Sequence, residues 1–148
     1  MEIQGERRLP ASPPEVWDAL HDPDVLRSAI PGCEFLEETA PDRYDLTVQV
    51  GIAAIRGTYT GSVQMTEGEP PNVYRLVARG QGRAGAAEGD AHITLEPSDD
   101  GTLLRYRAQV RAQGAIARLG SRIIGGAARM MAGRFFDAFE QELTERTA

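Results

Sequence analysis

Few residues in this sequence could do chemistry, and their types and spacing narrow what that chemistry is. Cys33, the only cysteine, directly follows a Pro31-Gly32 pair. A catalytic thiol needs a base and a depressed pKa, and a metal site needs several ligands. Only His21 and His92 are of a type to help, and no Cys or His pair stands at metal-ligand spacing. His92 shares a strand face with Glu88, Asp90 and Glu96, while His21 closes a helix beside Asp22. Cys33 is therefore read as a small residue packed after the Pro-Gly turn. No metal ligand, cofactor or catalytic residue is assigned. There is no Ser-His-Asp arrangement and no pair of carboxylates on an inward face.

What remains suits binding. Tyr59 and Tyr106 carry the polar groups on inward strand faces, and each hydroxyl either bonds nearby backbone or meets a ligand carbonyl. Arg7 is the one charged residue on an otherwise apolar strand face. Arg118, Arg122 and Arg129 fall within about 40° of one another if a single helix carries them. That face either pairs with sheet carboxylates or docks an acidic partner or lipid headgroups.

These residues need elements to hold them. "MEIQGERRL" alternates, with Ile3, Gly5, Arg7 and Leu9 on one face. Ser12 followed by Pro13 opens a first short helix, and Pro23 opens a second that stops before Pro31. Further strands alternate in "RYDLTVQVGIA", "IRGTYTGSVQM", "VYRLVARG", "AAEGDAHITLEP" and "LLRYRAQVRA", with tight turns such as "SDDGT" between them. Each has one polar face, as in an antiparallel sheet with one solvated side. The cover for the other side is the last thirty or so residues. There Leu119, Ile123, Ala127, Met131, Phe135, Phe139 and Leu143 form an i, i+4 ladder that winds around a long helix crossing a twisted sheet. The fold class expected is α+β helix-grip: a curved antiparallel sheet of six to seven strands on a long C-terminal helix, with two short helices after the first strand.

The inward faces are rich in glycine and alanine: Gly57, Gly61, Ala78, Gly80, Ala87, Gly89 and Ala91. Glycine in strands marks bends, bulges or room for something else. The first reading is a strongly curled sheet; the second is a space that sheet and helix do not fill. That cavity would be enclosed, roughly 300 Å3 or more. Its lining would be Val48, Val50, Tyr59, Gly61, Leu76, Ala91, Ile93, Tyr106, Leu119 and Ile123, with Ile30, Pro31 and Gly32 at its mouth.

The net charge of −6 argues against nucleic acid, whose binders carry clustered positive charge, and against strong attraction to anionic lipid. A lone cysteine makes no internal disulfide, no leader is visible, and no apolar run is long enough to span a bilayer. A cytoplasmic protein of one domain, residues 1–148, is expected.

Four segments, "VWDALHDPDVLRSAIPGCEFLEE", "RGTYTGSV", "GQGRAGAAEGDAHITLEP" and "LGSRIIGGAARMMAGRFFDAF", together resemble, in this order, the G-subunit family of carbon monoxide dehydrogenase. That family belongs to the START-like (SRPBCC), polyketide-cyclase-like helix-grip superfamily. The resemblance implies the fold read above and a non-catalytic accessory role beside a molybdenum-containing carbon monoxide dehydrogenase or related hydroxylase. It also implies an apolar or amphiphilic, quinone-like ligand in the cavity, and recruitment of the enzyme to the membrane. Some members add a membrane-anchoring tail. This chain stops at Ala148 after an acidic helix end, so the cavity and partner roles are the ones expected here, with peripheral membrane contact left open. Two rival readings stand: a cavity enzyme of the cyclase or hydrolase type, marked by a charged residue deep in the cavity, and a ligand-free assembly factor with a closed core.

Overall fold

The computed structural model describes residues 1–147. Strand β1 (Glu2–Leu9) is followed by helices α1 (Pro13–Leu20) and α2 (Pro23–Ala29), then strands β2 (Cys33–Ala40), β3 (Arg43–Val50), β4 (Gly57–Glu69), β5 (Val73–Gly82), β6 (Gly85–Ser98) and β7 (Gly101–Gln113), and finally helix α3 (Ser121–Thr147). The strands form one antiparallel sheet in the order β1-β7-β6-β5-β4-β3-β2, with α3 packed on its inner face. This is the α+β helix-grip arrangement.

Local chemistry starts the helices where the sequence signals them. Ser12 caps α1 in a reciprocal box: its hydroxyl accepts from the Glu15 amide and the Glu15 carboxylate accepts from the Ser12 amide. Such a cap contributes about 1 kcal/mol. His21 closes α1, its Nδ1 2.8 Å from the Trp17 carbonyl. Asp22 then caps α2 through the Asp24 amide, with Pro23 at the first helical position.

The core is unevenly distributed. Leu9, Leu36, Tyr44, Met65, Tyr74, Leu95 and Leu104 lie toward one end of the sheet and are buried together with Val16, Leu20, Val25, Leu26, Phe139 and Leu143. Helices α1 and α2 and the C-terminal half of α3 close that end. Its aromatic side chains interlock: Phe135 stacks on Phe139, and Trp17, His21 and Tyr74 pack mutually. The Tyr44 hydroxyl donates to the His21 carbonyl, and burial together with nearby Glu38 pushes the phenol up to about 12.

Three expectations change. The terminal helix is shorter: residues Gly114–Leu119 form a 3-10 turn, and Gly120 at φ +86° breaks the path before α3 begins. A left-handed residue cannot continue an α-helix, and glycine adopts that conformation without a Cβ clash. Leu119 therefore leaves the ladder, and Arg118 does not share a helix face with Arg122 and Arg129. The strand expected through Ile52 stops at Val50, and that expected from Ile55 begins at Gly57, because Ala53–Ile55 is a second 3-10 turn. Finally, β2 forms without a clean alternation to announce it. Bulges between Cys33 and Phe35 and between Glu38 and Ala40 shift its register, so only Leu36 is buried.

Candidate ligand cleft

Away from the packed end, the inner face of the sheet is apolar but only half covered. The strand register sets Leu46 beside Gly61 and Gly80, Val48 beside Tyr59, and Val63 beside Ala78 and Gly89, which itself pairs with Val110. All of these residues are half-buried, whereas equivalent inner positions at the other end are buried. A side chain built at Gly89 would meet nothing within 4 Å. In the first half of α3, Ala127 is buried while Ile123 is 46% exposed. Between sheet and helix this half thus leaves an apolar, half-covered cleft. Val110 belongs to it by the same parity as the predicted residues, and Leu46 and Val63 border it while packing against the core, although the sequence reading leaves all three out of the lining.

The expected lining residues divide along this gradient. Val48, Tyr59 and Gly61 lie in the open half, and Val50 closes its edge with 8% exposure. Leu76, Ala91, Ile93 and Tyr106 sit nearer the packed end. Ile93 is part of the buried core, and Leu76 and Tyr106 pack against it. Leu119 is half-buried in the 3-10 turn before α3. Ile30, Pro31 and Gly32 lie at the open end, where the Gly32 carbonyl accepts from the Gln49 amide at 2.8 Å.

Tyr59 and Arg7, polar side chains on this face, are bonded within the protein. The Tyr59 hydroxyl donates to the Ile55 carbonyl at 2.8 Å, the local alternative read from sequence. The Tyr106 ring stacks on Phe136 and lies across Gly5, its cross-strand neighbour. Its hydroxyl would stand 2.7 Å from a Cβ at Gly5, so that glycine makes room for the ring. Arg7 points to α3, where it bonds Asp137 at 2.6 Å and Glu140 at 3.4 Å, and the Asp137 bond raises its already high pKa. Cys33 packs beside the core with its thiol donating to the Phe35 carbonyl, and burial pushes that thiol up, away from thiolate chemistry.

The outer face differs throughout. There Arg75 holds Asp90 through two nitrogens at 2.8 and 2.5 Å and also reaches Glu67, and its hydrogen bonds hold the Asp90 carboxyl below the usual range. His92 is exposed on this face, as expected. A groove of about 590 Å3 crosses it, between Phe35 and Arg111, over the point where Gly61 and Gly80 pair. Its lining mixes both charges with threonine, serine and glutamine. Among the described residues no cluster of His, Cys, Asp or Glu could hold a metal ion, and no helix is long and apolar enough to cross a membrane.

A seven-stranded antiparallel sheet gripping a C-terminal helix around an apolar cleft defines a START-like binding fold. A sequence model described as CoxG, the carbon monoxide dehydrogenase G subunit, matches residues 5–144, and the chain belongs to that family. The crystal structure of a conserved protein from Geobacillus kaustophilus is 33% identical, with a TM-score of 0.93 over 98% of this chain and 96% of that one. A START superfamily protein from Mycobacterium smegmatis shares the fold at 12% identity, with a TM-score of 0.78 and 97% of each chain covered. The protein TTHA0849 from Thermus thermophilus does so at 15% identity, with a TM-score of 0.81 and both chains covered in full. No curated protein matches the chain.

Proposed function

We propose that this protein carries an apolar or amphiphilic small molecule, quinone-like or lipid-like, in the cleft between sheet and α3. In this reading it works in the cytoplasm as an accessory to a molybdenum-containing carbon monoxide dehydrogenase or related hydroxylase. One observation carries the reading: the inner face in the open half is apolar and unfilled, with Gly89 facing empty space where a packed sheet would place a branched side chain. The ligand's body would lie on Val48, Val63 and Ala78 and against Ile123, with Val50 and the Pro31-Gly32 turn beside the entrance. Arg118, Arg122 and Arg129 would face whatever partner approaches that end. The inner-face charge, Arg7, is spent on Asp137 and Glu140, which favours carriage over acid-base chemistry.

The test is titration of a short-chain quinone analogue by calorimetry, with native mass spectrometry of protein purified without detergent. Trp17 is a poor reporter, because it stacks on His21 in the packed end. Gly61 is a poor site for a blocking residue, because a side chain there would collide with the Arg79 carbonyl oxygen. Gly89→Leu has room and should keep the fold while weakening binding tenfold or more. Saturable binding by the parent and loss in folded Gly89→Leu are expected. Equal binding by both would move the ligand out of the cleft. A parent that binds nothing would leave the assembly role ahead.

A further inference from the structure

The chain has no lysine, and its arginines divide by whether they find a carboxylate. Arg7, Arg27, Arg75, Arg79, Arg105, Arg107 and Arg146 each form an ion pair. The other nine form none among the described residues, and four of these, Arg56, Arg83, Arg118 and Arg122, are exposed at one end of the molecule. The topology brings these four together. Arg56 leads into β4, Arg83 lies in the β5–β6 turn, Arg118 in the 3-10 turn after β7, and Arg122 in the first turn of α3. The Ile116 amide donates to the Ala84 carbonyl at 2.9 Å, tying the β5–β6 turn to the turn that carries Arg118, and the two 3-10 turns touch. This is the open end of the cleft. Segments 50–57, 82–87 and 113–136 contain no aspartate or glutamate, so a protein of net charge −6 presents an uncompensated positive rim where its apolar cleft opens.

Resting on the reading of the cleft as a binding site, and choosing its lipid-like over its quinone-like ligand, we infer that the ligand is a single-chain amphiphile with an anionic head, a carboxylate or a phosphate, seated on this arginine rim. In the open half of the cleft the wall hydroxyl, that of Tyr59, is spent on Ile55, and Tyr106 packs against the core nearer the closed end. A head must therefore sit at the entrance, where guanidinium forks match carboxylate and phosphate oxygens bidentately. A neutral head would leave the mutually repelling arginines uncompensated. An anion relieves that repulsion, and more so at low salt because the rim is exposed.

The experiment compares dodecanoate with dodecanol below their aggregation limits, by calorimetry at low and high salt. Parent and an Arg83→Gln/Arg118→Gln/Arg122→Gln variant are used, each checked by thermal unfolding. The parent should bind dodecanoate about tenfold tighter than dodecanol, a preference that shrinks with salt. The triple variant should lose the preference while keeping its affinity for dodecanol, and the matching triple lysine variant should restore much of it. Dodecyl phosphate should behave as dodecanoate does. Equal affinity of the parent for acid and alcohol overturns the inference and leaves the cleft reading intact, as does a preference that survives in the triple variant. Failure of the parent to bind either compound overturns both. Flotation with anionic phospholipid vesicles, without binding of monomeric dodecanoate, would assign the rim to a bilayer surface and likewise overturn the inference.

Discussion

The two ends of the sheet-helix sandwich use the same secondary structure differently. At one end Phe139, Leu143, Leu104 and Tyr74 are essentially inaccessible, and two capped helices seal the layer. The charges nearby are paired: Arg146 from the last turn of α3 reaches Asp22 at the junction of α1 and α2, at 2.7 Å. At the other end, glycines and alanines replace large side chains, Ile123 stands exposed, and arginines go unpaired. The contrast separates stability from function. Burial free energy is concentrated where it sets the grip of helix on sheet, leaving the other end free to admit a ligand without unfolding the domain.

The sharpest way to break this comparison is to truncate one side chain at each end. Phe139→Ala should cost about 3–5 kcal/mol, from lost burial plus the cavity left behind. Val48→Ala, on the half-covered face, should cost about 1 kcal/mol or less while weakening ligand binding. Urea unfolding of both variants checks this, and equal costs would mean the open end is packed in solution.

Titration gives a second, smaller handle. Burial alone would raise the Asp22 pKa, but the Arg146 bond and the Asp24 amide outweigh it, so the carboxyl titrates below its ordinary value. Asp90 is lowered by Arg75. The native state then binds fewer protons than the unfolded chain. Stability from both groups is complete above the ordinary carboxylate pKa of about 4 and is lost as pH falls through the depressed native values. The Tyr44 phenol, raised to about 12, acts with the opposite sign: its contribution is whole below its unfolded pKa and is lost as pH rises through the native value. Unfolding midpoints across pH should therefore form a plateau that drops at both edges. Asp22→Asn should flatten part of the acid edge, loosening the closed end while leaving affinity in the open cleft unchanged.

The smallest effect belongs to Cys33. Cys33→Ser should change stability by about 1 kcal/mol or less at this half-buried site and leave ligand binding intact. A folded serine variant that no longer binds would give the thiol a role that its raised pKa and backbone-bonded position do not suggest.

Much of the architecture could be read locally. Alternation placed Tyr44, Leu46 and Val48 on one face because strand side chains have a period of two, whatever lies across from them. Ser12-Pro13 and Asp22-Pro23 marked helix starts because a cap acts within three residues. Glycine and alanine at inward positions signalled unfilled space, and Gly89 and Gly80 do face it. The 3-10 turn ending at Leu119 was hidden, because apolar i, i+4 spacing continues through Gly120 as if no break existed. The break depends on the backbone angle that the turn onto the β5–β6 hairpin requires.

What the sequence determined, then, was the set of elements, their buried faces and the total charge, all of which follow from short-range periodicity and composition. Only the tertiary structure decided which end of the sheet is filled, that the Tyr59 hydroxyl bonds the Ile55 carbonyl, and that Arg56, Arg83, Arg118 and Arg122 share one rim. Packing and electrostatic potential depend on distances between residues far apart in the chain, and spacing along the sequence carries no measure of those distances.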